Sequence, residues 1–301
     1  MQHLERGGVL IAVMGFSMFS VGDAIIKTIG GAWPGIAVAA LRFAIAATVL
    51  GTILALREGR AAFVMPRPGI QLMRGFGMTV GTAAFFTALF IMPIVEATAI
   101  FFVSPMLTAL LATLVLGEPA RKSVWLATLL AFAGMLVLIR PNFVHFGWAV
   151  LLPLAAAMGM SMLVLGNRIA AGLASGLAMQ FYTAVIAAAM LGIGTGIAAA
   201  TGLAGIEIGW PSWGVVLRCV LVAFTASCGH WLVYTATTRA GAAVIAPMAY
   251  VQLLVALAAG WLVFDDWPDT LSMVGAAMIV GAGLYLWRSG RARVVAECDV
   301  P

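Results

Sequence analysis

The residues best suited to chemistry lie in one short stretch, SCGHWLVY at 227–234, which sets a histidine, a tryptophan and a tyrosine in a long apolar run. Ser227, His230, Trp231 and Tyr234 fall at i, i+3, i+4 and i+7, a spacing that puts them on one helical face. Hydroxyl and imidazole groups can bond the polar end of a small solute, while the rings pack its apolar body or engage a cation. The competing reading makes His230 an interhelical hydrogen bond, turns Trp231 toward lipid and lets Ser227 bond its own helix. A second set is charged: Asp23, Arg42 and Glu96. Neither set comes with a catalytic constellation. HExxH, GxSxG and GxxxxGK[ST] are absent, and His3 and His145 fall in a terminus and a loop. Cys219, Cys228 and Cys298 include no CxxC pair. An enzyme, a cofactor and a metal site are therefore not expected.

The elements that must hold these residues follow from composition. The 301 residues are 63% hydrophobic and 9% charged, far from the roughly one-quarter charged content of soluble domains. Mean hydropathy is +1.11. Gly, Pro and charge divide the chain into ten apolar stretches near 8–29, 34–56, 69–91, 94–116, 122–139, 146–166, 176–199, 213–237, 242–264 and 270–288. Most approach the length of about 20 residues that spans a bilayer. With the N-terminus inside, cytoplasmic segments hold twelve basic residues: Arg6, Arg57, Arg60, Arg67, Arg74, Arg121, Lys122, Arg168, Arg239, Arg288, Arg291 and Arg293. The other side holds Lys27, Arg140 and Arg218, and Arg42 lies inside a span. This asymmetry predicts an all-α membrane protein with ten transmembrane helices and both termini cytoplasmic. It also explains the pI of about 9.6 without a nucleic-acid partner.

An internal repeat sharpens the prediction. Residues 86–118 align with 234–266 at an offset of 148, so that Phe86 meets Tyr234 and Phe102 meets Tyr250. Glu118 meets Asp266 in the same register. An offset near half the chain means five helices plus five, hence two inverted five-helix repeats at 1–142 and 143–290, with 291–301 as a cytoplasmic tail. The partners of the His230 stripe on the third helix are then Thr79, Thr82, Ala83 and Phe86. The small hydroxyls of Thr79 and Thr82 have the same own-helix alternative as Ser227. Phe102 and Tyr250 form an aromatic pair on the fourth and ninth helices, favoured here for the cavity. Ser104 and Gln252, about 200° further round, become interhelical contacts. Pro105 is a hinge or a static kink. Asp23 and Arg42 sit at a similar depth of roughly 9–12 Å, consistent with an ion pair that gates or braces the bundle and that Glu96 could join. Alternatively Asp23 pairs with Lys27 and Arg42 snorkels outward.

The ten spans, the paired halves and the segment SPMLTALLATLVLGE before a Gly-rich helix (AFAGMLVLIRP) resemble the EamA family of the drug/metabolite transporter superfamily. The resemblance implies a bacterial inner-membrane carrier that exports small metabolites by alternating access. Amino acids, aromatic and other neutral, are the expected substrates, and a broad drug or cation efflux carrier of the same fold is the alternative. The implied partners are a small-molecule substrate and membrane lipid, with the chain a monomer or weak homodimer.

Overall fold

The computed structural model describes residues 2–117, 122, 125–127, 129–134, 136–137, 147–202, 209–240 and 246–298. Glu118, Arg121, Arg140 and His145 lie outside the described residues. Regular structure among the described residues is entirely helical: α1 (Gln2–Lys27), α2 (Gly35–Arg57), α3 (Pro68–Ile91), α4 (Ile94–Phe101), α5 (Ser104–Leu116), α6 (Trp125–Gly134), α7 (Leu151–Ile169), α8 (Gly176–Thr201), α9 (Trp213–Ala240), α10 (Val251–Phe264) and α11 (Thr270–Cys298). Among the described residues seven helical segments are long and apolar enough to cross a membrane: Gly7–Lys27, Gly35–Arg57, Pro68–Ile91, Ile94–Val115, Gly147–Ile169, Gly176–Thr201 and Trp213–Ala236. Shorter apolar helices at Trp125–Gly134, Met248–Phe264 and Thr270–Tyr285 fall where the sequence places its fifth, ninth and tenth spans. The chain is an all-α, multi-pass membrane protein.

Contacts group the chain into two compact units, one of Met1–Ala24, Met92–Val150 and Thr225–Pro301, the other of Ile25–Ile91 and Leu151–Phe224. Each draws on both halves of the sequence. In the first unit α1 packs closely on the second part of α9. A Cβ at Gly229 would stand 2.7 Å from Phe19 Cε1, and one at Gly15 would stand 2.9 Å from Val233 Cγ2, so these crossings require glycine. Met106, Ala131 and Ala282 form a fully buried cluster joining α5, α6 and α11.

In the second unit α3 lies against α7 and α8. A Cβ at Gly159 would stand 2.6 Å from Gly81 N, and one at Gly77 would stand 2.6 Å from Gly159 O. The backbones of α3 and α7 therefore meet with no side chain between them. The segment after α2 is pinned to α8. Tyr182 Oη donates to the carbonyls of Ala62 (2.6 Å) and Val64 (3.0 Å). Ser175 caps α8 by accepting from Ala178 N at 3.0 Å and donates its own proton to the Glu58 carboxylate.

Candidate functional site

In the first unit the fourth predicted span is broken into α4 and α5. Phe102 closes α4, its N–H donating to the carbonyls of Thr98 and Ala99 at 3.1 Å each. Pro105, without an N–H, stands in the first turn of α5, where its missing donor costs nothing. It therefore opens a helix instead of kinking one. In the ninth span a 3-10 turn, Ala246–Tyr250, leads into α10 at Val251. Phe102, at the end of α4, and Tyr250, just before α10, differ by the 148 residues of the sequence offset. The later helix ends match as well. Gly117 (φ 65°) caps α5 and Asp265 (φ 52°) caps α10, both left-handed and again 148 apart.

These two aromatic residues face each other. The Phe102 and Tyr250 ring centroids lie 5.2 Å apart, tilted by 41°, within the range of favourable aromatic pairs. Phe102 is 4% exposed and Tyr250 is half-buried. The phenol leans on α11 at Gly283. Nearby, Ser20 Oγ donates to the Gln252 carbonyl at 2.9 Å, which makes Gln252 an interhelical contact through its backbone.

The α9 stripe occupies a single face, and that face is uncovered. Ser227, His230, Trp231 and Tyr234 are all exposed, Trp231 and Tyr234 at 66%. His230 stacks edge-on against Phe19, centroids 4.8 Å apart. It stands nine residues before Arg239 and seventeen after Trp213, about 13 Å and about 25 Å along the helix. Of the charged candidates, Asp23, half-buried on α1, and Glu96, 5% exposed on α4, belong to this unit. Six residues separate Glu96 from Phe102, a rise of about 9 Å.

The remaining candidates belong to the second unit. Thr79 Oγ1 donates to the Gly75 carbonyl at 2.8 Å, and Thr82 Oγ1 approaches Met78 Sδ at 3.5 Å. Thr79 Oγ1 also lies 3.7 Å from Met190 Sδ on α8, so its hydroxyl touches both its own helix and a neighbour. Phe86 is buried. Arg42 places its Cζ 4.7 Å from the Phe43 ring centroid and 5.6 Å from that of Phe86, a cation–π arrangement.

Sequence spacing missed one cluster here. Arg74, counted there among the loop charges, sits inside α3 and is only 3% exposed. Its Nε donates to Asn167 Oδ1 (2.7 Å), its Nη2 to the Met179 carbonyl (3.1 Å) and its Nη1 to Gln71 Oε1. Gln71 is fully buried. The one available signal was that Gln71 and Arg74 stand at i and i+3.

Comparison with known proteins decides the family. Residues 6–140 match the EamA-like transporter family. A riboflavin transporter of Brucella anthropi is 30% identical over 86% of this chain and 91% of its own. The chain belongs to the EamA-like transporter family. It is a small-molecule transporter of the drug/metabolite superfamily, not an enzyme, and a bacterial multi-pass inner-membrane protein. An S-adenosylmethionine uptake transporter of Rickettsia prowazekii is 25% identical over 89% of this chain and 87% of its own. A pseudopaline exporter of Pseudomonas aeruginosa is 25% identical over 95% and 98%. The three relatives share a transporter role, while their solutes and transport directions differ.

Proposed function

We propose that the transporter is a secondary carrier of small amphipathic solutes that bear a flat ring, and that it is not confined to amino acids. The observation that carries this reading is the Phe102–Tyr250 pair, whose rings meet although they stand 148 residues apart, at corresponding positions of the internal repeat. Carriers built from two related halves hold their solute where corresponding helices of the halves meet. The two rings, already in contact, would form one apolar wall against the solute's ring, and the Tyr250 hydroxyl would meet one of its polar groups. The polar face of α9, led by His230, would line a water-filled path, because an exposed imidazole within a span belongs in water and not in lipid.

Glu96, buried on α4 about 9 Å along the chain from Phe102, would be the carboxylate that meets the positive group of a cationic solute. S-adenosylmethionine combines a ring with a sulfonium cation and riboflavin is a larger neutral ring system, whereas phenylalanine is the smallest ring-bearing member of the same class. Ten spans, both termini cytoplasmic and alternating access by two inverted repeats complete the proposal.

Uptake of labelled S-adenosylmethionine, riboflavin, phenylalanine and threonine into proteoliposomes, with and without a pH gradient, tests this. Saturable uptake of one or more ring-bearing solutes, with threonine excluded, is expected. Glu96→Gln should lower S-adenosylmethionine uptake about tenfold or more and spare riboflavin. Threonine moved as well as the ringed solutes would contradict the reading.

A further inference from the structure

We propose that Gly283 is a specificity-determining residue, whose bare backbone fixes how far Tyr250 stands from Phe102 and hence which ring the pair admits. This rests on the reading that the pair receives the solute's ring. A Cβ built at Gly283 would overlap Tyr250 Oη and Cζ and stand 3.2 Å from Cε2. The phenol thus occupies the space a side chain would take. A methyl group there has to be accommodated by something moving, and the surroundings limit what can. The helix backbone is held by the neighbouring Ala282, fully buried against Met106 and Ala131. Phe102, whose ring centroid lies 5.2 Å from that of Tyr250, is itself almost fully buried. Tyr250 is the mobile member, and the direction open to it is away from α11. Gly283→Ala therefore changes the ring gap, and the largest ring feels it first.

The same helix supplies a control. Nothing lies within 4 Å of a Cβ built at Gly281, so Gly281→Ala adds the same methyl to open space. The experiment compares wild type, Gly283→Ala and Gly281→Ala in proteoliposomes, reading the ratio of kcat/KM for labelled riboflavin to that for labelled phenylalanine. Gly283→Ala should shift that ratio by about tenfold or more, the scale on which a single methylene discriminates in a packed pocket. Gly281→Ala should leave it at the wild-type value. A second readout is thermal unfolding in detergent. The cost of Gly283→Ala should largely vanish in a Tyr250→Leu background, because shortening residue 250 empties the contested space. An unchanged ratio in folded Gly283→Ala protein overturns the inference, as does a cost that persists in full with Tyr250→Leu. Wild-type protein that moves neither solute overturns the functional reading itself, a failure visible before any Gly283 variant is measured.

Discussion

A guanidinium inside a membrane-spanning helix must be ringed by acceptors, and Arg74 is held by one from each of three places. Asn167 on α7, the Met179 carbonyl on α8 and Gln71 on its own helix take its N–H groups. Gly166 makes room, since a Cβ there would stand 2.5 Å from Arg74 Cγ. The guanidinium's planar fork spreads its donors over three nitrogens to reach all three acceptors, whereas an ammonium holds its three donors on one compact nitrogen. Arg74→Lys and Arg74→Ala should both lower thermal stability in detergent. The alanine variant should lose about 1–3 kcal/mol for the acceptors it strands, and an unchanged melting temperature would refute the clamp. The i, i+7 spacing correctly put Ser227, His230, Trp231 and Tyr234 on one face. It could not show that Arg74 is internal, because a basic residue six positions into a helix reads equally well as a snorkelling loop charge.

At the scale of elements the two halves are most alike where their helices stop. Gly117 and Asp265 hold the same left-handed cap, which glycine adopts freely and aspartate tolerates at a cost. Asp265→Gly should be neutral or stabilising by up to about 1 kcal/mol, while Gly117→Val should destabilise by at least about 1 kcal/mol. Chemical or thermal unfolding in detergent reads both, and equal effects would deny that the caps are equivalent. The sequence aligned LGE with FDD through their acids, and the structure adds that the residue before each acid carries the turn. The starts of α5 and α10 were harder to read. Pro105 stands in the first turn of α5 and Pro247 in the 3-10 turn before α10, and a 3-10 turn leaves no mark on hydrophobic periodicity. Proline was also read as a kink within one helix, whereas it opens a new one after Phe102.

The molecule as a whole takes its orientation from charge. At one end of the second unit Arg57, Arg60, Arg67 and Arg168 are exposed. At the other end Trp210 and Trp213 are exposed, and Trp33 Nε1 donates to the Gly209 carbonyl at 3.0 Å. Arginine favours the cytoplasmic face, and tryptophan favours the headgroup layer. In a variant lacking Cys219, Cys228 and Cys298, Ser212→Cys should react with an impermeant maleimide on intact cells, and Ala61→Cys only after permeabilisation. The reverse pattern would invert the topology. Multi-pass architecture and family were legible because composition, charge bias and repeat length are properties of the whole chain. The solute was not, since the same apolar helices serve carriers of riboflavin, S-adenosylmethionine and pseudopaline, and a few ring and charge positions must make the difference.

The most direct test of the central claim is counterflow of whichever ring-bearing solute wild type moves best, in proteoliposomes of Phe102→Ala and Tyr250→Ala with reconstituted amounts matched. Both variants should lose at least about tenfold in kcat/KM, and Tyr250→Phe, which keeps the ring and drops the hydroxyl, should fall in between. Full activity in folded Phe102→Ala and Tyr250→Ala protein would contradict the account and move the solute away from the paired rings.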